Sequence, residues 1–180
     1  MRNLEDSKRI RKKISEVQTI TIIGAGFIGL EIATTALQLN KDVTIIENSE
    51  NVMGRSISKD LSKWLINYYT KSGIKFIFNK SFKSFKSDEN SKINVILSDG
   101  TKINSEMVLI SAGSQPNDLL FKSIKVNEYN KIKVNSFLET NIDDIYAIGD
   151  CCFFDYYSKE VRLESIQNAT DQAKTVAKNI

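Results

Sequence analysis

Apolar and polar positions along the chain change period several times, and each change marks an element. Over residues 4–17, Leu4, Ile10, Ile14 and Val17 share one side of a helix whose other sides are charged, which predicts a solvated amphipathic helix ending near Ser15 or Glu16. A β-branched run with Ile20, Ile22 and Ile23 then reads as a short buried strand. The helical period returns over 27–39, with Asn40 placed to take a left-handed cap conformation. A second strand is predicted over 42–46. A second helix carries Ile57, Leu61, Trp64, Leu65 and Tyr68 at helical spacing and is closed by Gly73, and a third strand follows over 74–78.

Beyond residue 78 the pattern shortens. The stretch SFKSFKS interleaves aromatics with lysines and reads as a solvated strand edge rather than a nucleic-acid patch. Ile93, Val95 and Leu97 alternate with polar residues, Asp99-Gly100 makes a hairpin turn, and 102–104 returns. Another buried strand is predicted over 107–111, ahead of Ala112-Gly113-Ser114 and the only proline, Pro116. Residues 117–135 are polar, with short alternations at Ile124/Val126 and Ile132/Val134. Ile145, Tyr146, Ala147 and Ile148 read as a buried strand running into Gly149-Asp150. Leu163, Ile166, Ala169, Ala173, Val176 and Ile180 predict a last helix. A βαβαβ run followed by a meander implies an α/β, Rossmann-like three-layer domain. The boundary falls near Pro116, giving domains 1–115, with 1–17 as a leading helix and linker, and 116–180.

Composition removes several classes of function. A net charge of +3 is too small to argue for nucleic acid. No apolar run approaches membrane-spanning length. The first residues are basic but carry Glu5 and Asp6 and no apolar core, unlike a signal or transit peptide. The chain has no histidine, so a histidine triad, metal cluster or general base is excluded. Cys151 and Cys152 are adjacent, a spacing that suits neither a redox pair nor a metal site. They read as structural, reduced cysteines of a cytoplasmic protein without a catalytic role.

The candidate chemistry sits between the first strand and the first long helix, where Gly24, Gly26 and Gly29 stand in G-x-G-x-x-G spacing. In such a turn the first glycine permits the sharp exit from the strand, the second lets a pyrophosphate approach, and the third allows close helix packing. The helix N-terminal amides then face the anion. Glu47 ends the second strand, roughly 20 residues on, where an acid takes the ribose hydroxyls of an adenosine and disfavours a 2′-phosphate.

Four stretches in order, GAGFIGLEIA, LISAGSQPN, TNIDDIYAIGDC and RLESIQNATDQAK, resemble the flavin-dependent pyridine nucleotide–disulfide oxidoreductase superfamily. The last is similar to the ferredoxin, rubredoxin and putidaredoxin reductase branch. The resemblance covers almost the whole chain. It implies an NAD(H)-binding domain with a β-meander, plus the C-terminal half of a FAD-binding domain. It implies two cofactors, NAD(H) and FAD, and a ferredoxin- or rubredoxin-like electron-transfer partner, with no nucleic acid and no membrane. Gly24, Gly26, Phe27, Ile28 and Gly29 would surround the NADH pyrophosphate, Glu47 the ribose, Arg55 the adenine end, and Gly113 the dinucleotide. Glu31 matches an acid near the nicotinamide–flavin junction, and reads equally as a capping or surface glutamate. Gly149 and Asp150 match the turn that binds the ribityl hydroxyls, and Ile166 with Gln167 the backbone that meets the flavin ring.

The family carries a further G-x-G-x-x-G for the FAD pyrophosphate, and this sequence holds one such motif. The chain is therefore expected to be a fragment of a longer gene or one half of a split protein lacking its FAD-domain partner. An NADH oxidase, a disulfide reductase of the same superfamily, and a non-catalytic dinucleotide-binding fragment are the competing readings. The chain alone is expected not to retain FAD. Asp150 and the backbone near Ile166 offer a few hydrogen bonds of about 0.5–1.5 kcal/mol each, too few to offset the ordering cost of binding. The purified chain should be colourless, and stoichiometric flavin absorbance would overturn this.

Overall fold

The first β-branched run becomes an inner strand of a parallel sheet. The computed structural model describes residues 3–87, 92–114 and 132–180. Two compact units divide the chain, Met1–Ala112 and Gly113–Ile180.

In the first unit, α1 (Leu4–Glu16) is capped by Asn3, whose side chain accepts the Asp6 N–H. β1 (Thr19–Ile23), α2 (Phe27–Gln38), β2 (Asp42–Ile46), α3 (Lys59–Lys71) and β3 (Lys75–Ile77) follow. A three-stranded antiparallel sheet comes next, made of β4 (Phe82–Ser87), β5 (Ile93–Leu97) and β6 (Lys102–Ser105), before β7 (Met107–Ile110). The parallel sheet has the order β3-β2-β1-β7. Parallel neighbours need crossovers, and α2 and α3 provide two of them.

Alternation along the strands sorts the core into two halves. Ile20, Ile22, Val43, Ile45 and Met107 bury with Ile14 and Val17 and with Leu30, Ala33 and Ala36 of α2. Ile23 and Ile46 bury on the other face with Val95 and Leu97 of the antiparallel sheet. The unit thus has three layers, helices on one side of the parallel sheet and the meander on the other.

The helix α3 lies where its period predicts, but a different face is buried. Leu61, Trp64 and Tyr68 are exposed, with the Trp64 and Tyr68 rings stacked 5.5 Å apart. Leu65, Ile66 and Tyr69 pack on the core around the fully buried Ser62. Its hydroxyl donates to the Val52 carbonyl at 2.9 Å, which fixes the rotation of the helix. A serine at the centre of the buried face is invisible to a count of apolar residues.

In the second unit, β8 (Ile132–Lys133) pairs in parallel with β9 (Cys152–Tyr156), which forms an antiparallel hairpin with β10 (Lys159–Val161). α4 (Ile166–Asn179) ends the chain, capped by Ser165. The core is Ile132, Val134, Leu138, Ala147 and Cys152, with Val176 of α4 packed against it. Residues 145–148 do not form the predicted strand. One isolated bridge joins Tyr146 to Glu139, and the chain then enters a 3-10 turn, Gly149–Cys151. The positive φ of Asp144 and of Gly149 brackets the segment and stops the ladder from extending. The β9–β10 hairpin turns on Tyr157 and Ser158, both at positive φ, with no glycine or asparagine to announce it. The last helix starts at Ile166 rather than 163, leaving Leu163 and Ile166 exposed. Both cysteines are free; Cys151 is exposed, and burial pushes the Cys152 thiol up to about 11. Pro116 and the Ile124/Val126 alternation lie outside the described residues. No helix among the described residues is long and apolar enough to cross a membrane.

Glu106 closes the amino-terminal end of the parallel sheet. Its carboxylate accepts the Gln18 N–H at 2.6 Å and the Thr19 N–H at 2.9 Å. These bonds hold its carboxyl below the ordinary glutamate value of 4.5, the Thr19 amide first. A depressed folded pKa means stability that is present above 4.5 and lost as pH falls through the folded value. Glu106→Gln should therefore melt a few degrees below the parent at pH 7, and the gap should narrow on acidification below 4.5. A gap independent of pH, read by circular dichroism, would refute the clamp.

Candidate functional site

The glycine turn leaves the carboxyl end of β1, between β2 on one side and β7 on the other. This is the point of an open α/β sheet where the strand order reverses and a crevice forms. Gly24 exits with φ +103°, its N–H donating to the Ile46 carbonyl at 2.8 Å. A Cβ on Gly24 would lie 2.5 Å from the Ser111 carbonyl oxygen, just past β7. A Cβ on Gly29 would lie 2.2 Å from the Gly24 carbonyl oxygen. The fold itself requires both glycines.

Gly26 is different. A Cβ there would meet nothing within 4 Å, and its φ of −80° is open to any residue. No internal contact demands a glycine at this position, so its face is free for a ligand. It is also the N-cap of α2, and without a side chain it leaves the amides of the first turn uncapped. α1, α3 and α4 are each capped by a side chain, from Asn3, Ser58 and Ser165. Phe27 and Ile28 are exposed beside this helix end.

Glu47 follows β2 directly and turns its carboxylate onto the glycine turn. Oε2 accepts the Ala25 N–H at 2.9 Å. Oε1 accepts the Ser49 N–H at 3.0 Å and the Ser49 hydroxyl at 3.1 Å. The Met53 N–H donates to the Ala25 carbonyl at 2.9 Å, so the loop after β2 is stitched to both polar groups of Ala25. Carboxylate oxygens accept more than one bond each, so capacity remains for ribose hydroxyls. Ser49, which orients the carboxylate, escaped sequence reasoning; the signal was a serine two residues after the acid, placed to bond locally. Arg55 is exposed on the same loop. Glu31 is exposed on α2 beyond its first turn, and caps nothing.

Gly113 begins the second unit at φ +114°, and a Cβ there would meet nothing. Within that unit Gly149 is buried at φ +73°, its would-be Cβ 3.3 Å from the Ala169 Cβ in the first turn of α4. Asp150 is exposed in the same 3-10 turn. Ile166, 89% exposed, and Gln167 stand at the N-terminus of α4. The structure therefore groups the anticipated residues in two sets. Gly24, Gly26, Phe27, Ile28, Gly29 and Glu47 gather in the first unit, and Gly149, Asp150, Ile166 and Gln167 on one turn and one helix end of the second. Among the described residues no cluster of three histidine, cysteine or acidic side chains could hold a metal ion.

The family model described as pyridine nucleotide-disulphide oxidoreductase matches residues 1–173. A rubredoxin-NAD(+) reductase of Pseudomonas putida is 31% identical over 100% of this chain and 47% of its own length. The crystal structure of the ferredoxin reductase for the CYP199A2 system from Rhodopseudomonas palustris superposes with a TM-score of 0.89 at 31% identity, covering 99% of this chain and 45% of that one. The putidaredoxin reductase of a covalent complex with putidaredoxin superposes with a TM-score of 0.85 at 30% identity, covering 98% of this chain and 43% of that one. The chain spans just under half the length of these relatives. It belongs to the pyridine nucleotide-disulphide oxidoreductase family.

Proposed function

We propose that this chain forms the NAD(H)-binding portion, and part of the FAD site, of a flavoprotein that passes electrons from NADH through FAD to a small iron–sulfur protein of the ferredoxin or rubredoxin type. In this reading residues 1–115 are the NAD(H)-binding domain and 116–180 belong to the FAD-binding domain. The observation that carries it is Gly26, a glycine with no structural reason to be one, at the uncapped N-terminus of α2. The residues fit a pyrophosphate: the amides of 27–29 would face its charge, and Gly26 would leave room for its oxygens. Phe27 and Ile28 would border it, Glu47 would accept from the ribose hydroxyls, and Arg55 and Gly113 would flank the rest. Asp150 would hold the ribityl hydroxyls of FAD on the turn made by Gly149, with Ile166 and Gln167 at the ring.

When bound, the two cofactors supply hydride transfer from nicotinamide to flavin and the release of single electrons. The side chains bind and orient, which suits a chain without histidine. Glu31 is the acid assigned near the junction of the two cofactors. The reductases named above support an iron–sulfur acceptor, one of them having been solved in complex with putidaredoxin. Two free cysteines suit the cytoplasm.

Gly26→Ala and Gly29→Ala separate ligand from fold. Gly26→Ala should melt within a couple of degrees of the parent yet lose at least about tenfold in NADH affinity, roughly 1.4 kcal/mol. Gly29→Ala should fail to fold, because the clash is with backbone. Normal NADH binding by folded Gly26→Ala, measured by titration calorimetry, would sink the nucleotide assignment.

NADH should bind more tightly than NADPH, because Glu47 repels a 2′-phosphate. Glu47→Gln removes the charge and keeps one acceptor oxygen, so it should narrow the gap while lowering the melting temperature, because either the Ala25 or the Ser49 amide then faces the side-chain NH2 group. Glu47→Arg should shift preference further toward NADPH but also destabilise, since it leaves the amides of Ala25 and Ser49 without their acceptor. Equal affinity of the parent chain for both nucleotides would defeat this assignment.

A further inference from the structure

Gln172 has no place in the chemistry described so far, yet it is the only nearly wholly buried polar side chain of the second unit among the described residues. Its Oε1 accepts the N–H of Gly149 at 2.6 Å. The Cys152 thiol lies 3.7 Å from the same oxygen and 3.4 Å from the Gly149 carbonyl. The Gly149 amide opens a 3-10 turn and is itself buried, so without Gln172 it would be a desolvated donor with no acceptor. An apolar residue would fill this face of α4 equally well. The amide is there for the turn.

Two contacts from one helix hold Gly149. Ala169 packs so close that a Cβ added to Gly149 would lie 3.3 Å from the Ala169 Cβ, and Gln172, one turn further along the same face, holds the Gly149 amide by the hydrogen bond. A steric stop together with a directional bond fixes both the position and the rotation of the turn. Asp150, the next residue, is exposed and inherits that orientation. We propose that Gln172 is a positioning residue: from inside α4 it locks the Gly149–Asp150 turn against the first turn of the helix. Asp150 and the α4 N-terminus, with Ile166 and Gln167, then meet the ribityl chain and ring of FAD as one rigid body. This rests on the reading of Asp150 as a flavin ligand and assigns the residue that sets its aim.

The test uses the protein expressed from its complete gene, stripped of flavin and titrated with FAD, with NADH affinity as a control for the first unit. Asp150→Ala should weaken FAD binding at least about tenfold, and Gln172→Met, which keeps the volume and removes the acceptor, should weaken it comparably. The double variant should be little worse than either alone, because a misaimed aspartate and a missing one are equivalent. Gln172→Glu keeps an acceptor oxygen at the same reach and should recover most of the loss. NADH affinity should stay unchanged throughout. If Gln172→Met does not fold, Gln172→Asn, whose shorter amide cannot reach Gly149, takes its place with the same expectation. FAD affinity within about twofold of the parent in the Gln172 variant, or losses that simply add in the double variant, would overturn the positioning role while leaving Asp150 a flavin ligand. An unaltered FAD affinity in Asp150→Ala would remove the flavin reading itself, and the proposal with it.

Discussion

The first unit depends on one backbone contact. The α carbon of Gly29 packs so closely on the carbonyl of Gly24 that a Cβ there would lie 2.2 Å from its oxygen. That approach draws the start of α2 over the end of β1. Gly24 in turn is pressed on the Ser111 carbonyl, which ties the turn to the strand end on the other side of the crevice. With both neighbours so close, the direction of α2 is set before any ligand arrives, and its uncapped amides point where the strand order reverses. Preorganisation of this kind needs no charged side chain, and the turn has none of its own. The nearest acid, Glu47, acts from the following strand and spends part of its hydrogen-bonding capacity on Ala25 and Ser49.

Much of this was legible from residues alone, for a physical reason. In the parallel sheet each strand is a short apolar run and each crossover a helical period, and both patterns are local. β1, α2, β2, α3 and β7 therefore fall within a residue or two of where periodicity puts them. The glycine turn was legible because backbone demands at Gly24 and Gly29 are written as residue type. What could not be read was which of two stripes α3 would bury. Leu61, Trp64 and Tyr68 make the stronger apolar stripe, yet Ser62 faces inward because the Val52 carbonyl needs a donor there. The inward stripe is itself apolar, with Leu65, Ile66 and Tyr69 on the core, and the Ser62–Val52 bond adds to it, so the choice between two apolar stripes rests on tertiary partners that local periodicity does not show.

The second unit was harder for a related reason. Its strands are short, and its backbone reverses through positive φ at Leu138, Asp144, Tyr157 and Ser158, none of them glycine. Residue type gives no warning of such turns, so the β9–β10 hairpin carries no sequence signal and residues 145–148 read as a strand that they do not form. Around its apolar core, the turns of this unit are held by side-chain bonds to backbone, with Asn135 accepting from the amides of Phe137 and Glu139 and Gln172 from that of Gly149. Asparagine and glutamine carry little pattern, and their role is visible only once the amide they satisfy has been placed.

Both sites share a mode of construction. In each, a tight turn carries the group proposed to face the ligand, and a polar side chain from a neighbouring element holds that turn through a backbone amide. Glu47 holds Ala25 in the first, and Gln172 holds Gly149 in the second. The difference lies in exposure. Glu47 is half-buried and assigned to the ligand as well, so ligand preference and turn geometry are coupled in one carboxylate, and changing its charge also changes the turn. Gln172 is buried behind its turn and free of that double duty. As proposed, its effect on a ligand passes through the turn and the helix end that it locks together, which makes the second site the cleaner place to measure how much a held turn is worth apart from the groups that touch the cofactor.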